Sequence, residues 1–234
     1  MAENTPWALE AVQIPAGMAV LDGDLIIPSS PSGTVVLAHG GGSSRHSARN
    51  RHVARVLNKA GFATLLMDLL TVDEEVVDAL TSHLRFDIPF LAERLIAATD
   101  WLAGHPQMGR QPLGYFGAST GAAIALFAAA RRPDSVEAIV SRGGRPDLAG
   151  PALSAVRAPT LLIVGGNDPQ VLELNRGAFA RLCCEKRLEV IPGASHLLEE
   201  PRALETAAQL ARDWFRQHLV EASRNAAWRH DRKS

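Results

Sequence analysis

The chain has 234 residues, 24 basic against 25 acidic, a formal net charge of -1, and 47% hydrophobic and 21% charged positions. That length fits one domain rather than two with marginal cores, and the composition is that of a soluble globule, not of a disordered chain. The charge balance excludes a nucleic-acid binder working through a global basic field, and apolar runs such as Ala122 to Ala130 are too short for a membrane span of ~18 residues or more. In chain order, the stretch to Ser30 reads as a short β-lead, with Val12 to Ile14 and Met18 to Ile27 punctuated by Pro15, Gly17, Gly23 and Pro28. Beyond Gly33 the pattern becomes strand, loop, helix, repeated. Thr34 to Ala38 is the continuous apolar run of a strand buried on both faces. A helix follows with apolar positions Val53, Val56, Leu57 and Ala60, closed by Gly61 where a left-handed cap belongs.

Phe62 to Met67 is the next strand. Asp87 then caps a helix with Pro89 in its first turn and a buried stripe of Ile88, Leu91, Leu95, Ala98 and Leu102. Pro112 to Gly117 is a strand and Ala122 to Arg131 a helix of mostly small residues. Val136 to Val140 and Thr160 to Val164 are strands, Val171 to Leu182 a helix, Leu188 to Ile191 a strand and Ala203 to Leu219 a closing helix. This alternation predicts an α/β architecture, a doubly wound, mostly parallel sheet flanked by helices. The expected core covers residues 34–219, with the lead 1–33 in the same domain and a polar, frayed tail at 220–234. The interval between Val140 and Thr160 is too short for a helical lid domain.

The strongest local signal is Gly117-Ala118-Ser119-Thr120-Gly121, between a strand and a helix. A sharp turn there lifts the serine hydroxyl above the sheet edge, and its neighbours must be small for strand and helix to approach. The helix N-terminus also offers backbone N–H groups to a developing oxyanion. A serine nucleophile needs a base, and the base an orienting acid. Asp168 follows the strand Thr160 to Val164, and His196 follows the strand Leu188 to Ile191. Both are expected at the sheet edge that carries Ser119, in the order acid then histidine. The bland alternatives are a helix N-cap for Asp168 and a solvated loop residue for His196.

His39-Gly40-Gly41-Gly42 follows the first buried strand, where further oxyanion donors belong. The amides of Gly41, Gly42 and Thr120 are the expected donors. His39 reads as a packing and hydrogen-bonding residue of this loop rather than a base. A phosphate cradle would need a Walker-type lysine, and none follows. Between Asp24 and Asp68 there is no acidic residue, but there are Arg45, Arg49, Arg51, Arg55 and Lys59. Arg45, Arg142 and Arg145 are therefore candidate substrate-binding residues for anionic acyl groups, set against a plain reading as solvated or structural arginines.

Together these motifs resemble the α/β-hydrolase superfamily, and the short lidless form is similar to its dienelactone-hydrolase-like branch. The run Leu37-Ala38-His39-Gly40-Gly41-Gly42-Ser43-Ser44-Arg45-His46-Ser47 also resembles hydrolase domains that accompany a phosphoribosyltransferase in some bacteria. The resemblance implies Ser119 as nucleophile, His196 as base and Asp168 as acid. True dienelactone hydrolases place cysteine at the elbow, so the serine here favours ordinary carboxylic esters.

The expected function is a serine carboxylic-ester hydrolase acting through an acyl-enzyme on small, short-chain esters, without a metal or other cofactor. Acyl transfer, thioester or amide hydrolysis and perhydrolysis are alternatives on the same triad, and a non-catalytic interaction module is the alternative of a different class. The expected partner is a small-molecule ester, with no nucleic acid and no membrane, in a monomer or small homo-oligomer. Met1 to Pro6 show no secretory signal, and the adjacent Cys183 and Cys184 suit no disulfide scaffold, so a cytoplasmic setting is expected.

Overall fold

The computed structural model describes residues 7–109 and 111–220. Tail positions beyond Val220 lie outside the described residues. The strands are β1 (Trp7–Ala16), β2 (Ala19–Pro28), β3 (Thr34–Ala38), β4 (Ala63–Met67), β5 (Leu113–Ala118), β6 (Ala138–Arg142), β7 (Thr160–Gly165) and β8 (Lys186–Ile191). The α-helices are α1 (Ala48–Lys59), α2 (Val72–Thr81), α3 (Ile88–Ala103), α4 (Thr120–Arg131), α5 (Pro169–Arg181) and α6 (Ala203–Phe215). The strands form one sheet in the order β1-β2-β4-β3-β5-β6-β7-β8. From β4 to β8 every neighbouring pair is parallel, while the hairpin β1–β2 adds antiparallel to β4. Strand order reverses at β3, so the crevice between the C-terminal ends of β3 and β5 is where a ligand belongs in an open α/β sheet.

Alternation along the buried strands divides the core in two. Val36, Ala38 and Tyr115 pack with α3 and α4, whereas Val35, Leu37 and Phe116 pack with α1 and α6. The alanine-rich α4 is buried along most of its length, and its small side chains let it lie close on the sheet. Gly114 is similarly fitted: a Cβ there would come within 2.7 Å of the Phe215 ring. The predicted caps at Gly61, with φ +89°, and at Asp87, whose side chain accepts from the Phe90 N–H, are both in place.

Besides a single 3-10 turn over Leu84–Phe86, two elements lie outside the sequence expectations. One is α2, opened by a reciprocal capping box between Thr71 and Glu74. Its Val72, Val76, Val77 and Leu80 are exposed, so it has no buried stripe to reveal it as an amphipathic helix. Polar ties hold it instead, including Glu74 to Arg94 at 2.6 Å and Asp78 to Arg85 at 2.6 Å. The other is a pair of 3-10 turns over Pro146–Ala155, kinked at Gly150 with φ +53°, which fills the interval between β6 and β7. Cys183 and Cys184 are both free thiols. No helix among the described residues is long and apolar enough to cross a membrane.

Candidate active site

Ser119 stands between β5 and α4 with φ 53° and ψ -124°, a backbone conformation that costs a residue with a Cβ. Its surroundings force it. Its N–H donates to Arg142 O at 3.3 Å, and its carbonyl accepts from Arg145 N at 3.0 Å and Ala122 N at 3.1 Å. The flanking glycines are compulsory: a Cβ on Gly121 would sit 2.2 Å from Ala38 O, and one on Gly117 2.5 Å from Ala122 Cα. The Ser119 side chain is thereby held at the strand-to-helix turn, its hydroxyl free of hydrogen-bond partners among the described residues.

Asp168 is both a cap and a partner. Its Oδ1 accepts from Val171 N at 3.2 Å as the N-cap of α5, and its Oδ2 lies 2.7 Å from Nδ1 of His196. The two loops that deliver them are laced together through Asn167 N to Ala194 O at 2.9 Å and Asn167 Nδ2 to Gly193 O at 2.9 Å. Gly165 allows the closeness, since a Cβ there would meet Ala194 O at 2.4 Å. With Nδ1 engaged by the carboxylate, Nε2 is the nitrogen left for proton transfer.

Across the cleft, the loop after β3 is clamped from both sides. A Cβ on Gly40 would lie 2.9 Å from Ser119 Cβ, and one on Gly41 2.9 Å from Arg85 Cβ. The Gly41 N–H donates to Thr120 Oγ1 at 2.9 Å, so the amide expected to face an oxyanion is engaged by a side chain. Gly42, with φ +71°, lines a neighbouring cavity rather than the cleft that holds Ser119. The Thr120 N–H, at the first position of α4, has no intrahelical acceptor. His39 is buried beneath the loop, with Nδ1 2.9 Å from Gly40 O and Nε2 accepting from Leu69 N at 3.3 Å. Burial holds its pKa below the ordinary imidazole value, against opposing pulls from Gly40 and Asp68. That is the packing role its sequence position suggested.

The cleft, of about 560 Å³, brings Ser119, Thr120, Asp168 and His196 together with Gly41, Arg85, Phe86 and Arg145. Behind the glycine loop lies the second cavity, of about 340 Å³, with Leu69, Ala79, Leu91 and Ile124 in its walls. Gly41 and Arg85 line both spaces.

The three candidate arginines part company. Arg45 lines neither space; it is bound by Asp68 through its guanidinium and its N–H, with Asp24 at 3.7 Å and Asp22 at 3.9 Å. Arg142 is buried, its Nε lacks a partner, and burial plus the nearby Arg49 charge lower its pKa to about 10. It does not line the cleft. Arg145 does, but both arms of its fork are on Asp147, at 2.9 and 2.8 Å. The cleft arginine that sequence reasoning missed is Arg85, fixed by Asp78 through its N–H at 3.0 Å, Nε at 2.6 Å and Nη2 at 2.9 Å. Burial alone would raise the Asp78 carboxyl, yet the Arg85 and Leu84 N–H groups and the guanidinium hold it below its ordinary value. The one sequence signal near Arg85 was the Thr71-x-x-Glu74 capping box, which marks the helix that carries its partner.

A doubly wound sheet with a strained serine at the strand-to-helix turn and a carboxylate–histidine pair beside it defines an α/β hydrolase. The chain belongs to that family: it matches the family model described as alpha/beta hydrolase fold over residues 33–154, and it falls in the dienelactone-hydrolase-like branch. A dienelactone hydrolase from Anabaena variabilis is 56% identical, with a TM-score of 0.90 over 92% of this chain and 99% of that one. Est1E from Butyrivibrio proteoclasticus, 16% identical with a TM-score of 0.74 over 88% of this chain and 98% of that one, shares the fold. A Mycobacterium tuberculosis protein named as a phosphoribosyl transferase is 57% identical over 218 residues, which are 93% of this chain and 48% of that protein. The chain thus spans about half the length of the curated relatives it matches most extensively.

Proposed function

We propose that this hydrolase is a serine carboxylic-ester hydrolase that works through an acyl-enzyme on small, short-chain esters. The observation that carries the reading is Ser119 at φ 53° in the cleft that also holds the 2.7 Å His196–Asp168 pair. In this scheme the Ser119 oxygen attacks the ester carbonyl while Nε2 of His196 takes its proton. The alcohol leaves with that proton, and a water deprotonated by His196 releases the acid. Asp168 holds the imidazole tautomer and offsets its charge in the transition state. The Ser119–His196 hydrogen bond forms when substrate displaces solvent, as is common for catalytic contacts loose in the unliganded state.

Substrate size follows from the walls. The cleft is bounded by a short helix and turns rather than a lid domain, which supports small acyl groups over long lipid chains. A preference for anionic acyl groups finds no support in these three arginines, because Arg45 and Arg142 do not line the cleft and Arg145 is paired with Asp147. The phosphoribosyl transferase name belongs to relatives about twice as long, and this reading rests on the present chain's own cleft. Fluorophosphonate labelling of the wild type and Ser119→Ala tests it. Labelling of the wild type and none of the variant is expected; an unlabelled wild type sinks the reading.

A further inference from the structure

We propose that the Thr120 side chain is itself an oxyanion donor, and that the glycine loop acts through it rather than beside it. The inference rests on the serine-hydrolase reading and concerns which groups hold the developing negative charge.

The argument is an accounting of donors and acceptors. A threonine hydroxyl has one proton to give and two lone pairs to receive. One lone pair of Thr120 Oγ1 is taken by the Gly41 N–H at 2.9 Å. Its proton meets no acceptor among the described residues, although Thr120 is only 6% exposed. An unspent donor at a nearly closed site is costly unless something completes it. Thr120 lines the cleft that holds Ser119 and His196, where a substrate oxygen can serve as the acceptor of that proton.

The loop is poorly placed to supply the Gly41 amide instead. Gly40 is wedged against Ser119, Gly41 is overlaid by the aliphatic stem of Arg85, and Arg85 is pinned by three hydrogen bonds to Asp78. Turning the Gly41 N–H into the cleft would break its bond to Thr120 and push against that stem. Left in place, it polarises the hydroxyl from behind. A chain running from amide to hydroxyl to oxyanion strengthens each link in a low-dielectric site. The hole then consists of the Thr120 N–H and the Thr120 O–H, both at the positive end of α4.

The test compares Thr120→Val, which keeps shape and loses the hydroxyl, with Thr120→Ser, which keeps the hydroxyl. The readouts are kcat and KM on p-nitrophenyl acetate, the rate of fluorophosphonate labelling, and Tm. Thr120→Val is expected to lose about 10²-fold in kcat and in labelling rate with KM within about twofold, as for removal of one oxyanion donor. Thr120→Ser is expected to stay within about threefold of wild type. A Val variant as fast as wild type overturns the proposal, since the released Gly41 amide would then suffice. So does a Ser variant as slow as Val with an equal fall in Tm, which marks a packing role. Failure here with normal wild-type labelling leaves the serine-hydrolase reading standing; an unlabelled wild type removes both.

Discussion

Asp168 divides its carboxylate between two tasks, Oδ2 to Nδ1 of His196 at 2.7 Å and Oδ1 to the Val171 N–H that opens α5 at 3.2 Å. Asparagine caps a helix about as well as aspartate, but it cannot offset an imidazolium or enforce the same tautomer. Asp168→Asn is therefore expected to keep stability within about 0.5 kcal/mol while kcat falls by roughly 10⁴. Asp168→Ala should lose about 1 kcal/mol as well. Urea denaturation beside steady-state kinetics separates the tasks, and an equal stability loss in both variants would refute the division.

Two glycines near the elbow predict different failures. A Cβ on Gly40 meets Ser119 Cβ at 2.9 Å and Ala118 O at 3.1 Å, so the loop or Ser119 itself must shift to make room. Gly40→Ala should fold and lose at least about tenfold in labelling rate, because the Ser119 hydroxyl, the proposed nucleophile, is displaced. A Cβ on Gly121 meets backbone, Ala38 O at 2.2 Å and His39 O at 2.7 Å, and neither can yield without moving β3. Gly121→Ala should cost about 3 kcal/mol or more, read as loss of soluble protein or a steep fall in Tm. A stable Gly121→Ala would contradict this.

The fold and the positions of Ser119 and Asp168 at one sheet edge were legible in the sequence for one physical reason: a strand buried on both faces reads as a largely apolar run ending in a loop, whereas His196 follows the partly exposed edge strand β8 and was placed by chain order. Thr34 to Ala38, Leu113 to Ala118 and Thr160 to Gly165 are buried throughout, and the motif residues follow at their C-terminal ends. Hydrophobic periodicity does not describe α2, whose valines face solvent, and so it missed the helix that anchors Arg85. Side-chain commitments were hidden as well. The sequence places Arg45 beside the glycine loop, but only the packing of β2 against β4 brings Asp22, Asp24 and Asp68 around it. Likewise, the spacing of Gly41 and Thr120 says nothing of the bond that joins them.

His39 links pH to stability. Burial depresses its pKa in the folded state, so between the folded and unfolded values the unfolded chain binds more protons. Stability is then full above the unfolded value of about 6.5 and falls as pH drops through that value toward the folded one. Protonation would also place a second N–H on Nε2, which now accepts from the Leu69 N–H. In urea denaturation, wild type should lose more stability than His39→Gln between about pH 7 and about pH 5. Equal losses would show that His39 does not govern this pH dependence.

Arg85 separates the cleft from the cavity behind the glycine loop, since its stem overlies Gly41 and the residue lines both spaces. Trimming it in Arg85→Ala should join about 340 Å³ of partly apolar volume to the cleft. Each methylene then admitted gains about 0.8 kcal/mol of burial, roughly fourfold in kcat/KM. A p-nitrophenyl series from acetate to octanoate should therefore move its optimum to longer chains in Arg85→Ala. Arg85→Ala combined with Leu91→Phe, which refills the cavity wall, should move the optimum back. A profile unchanged by Arg85→Ala would mean that acyl chains lie along the open cleft and never enter the space behind Gly41.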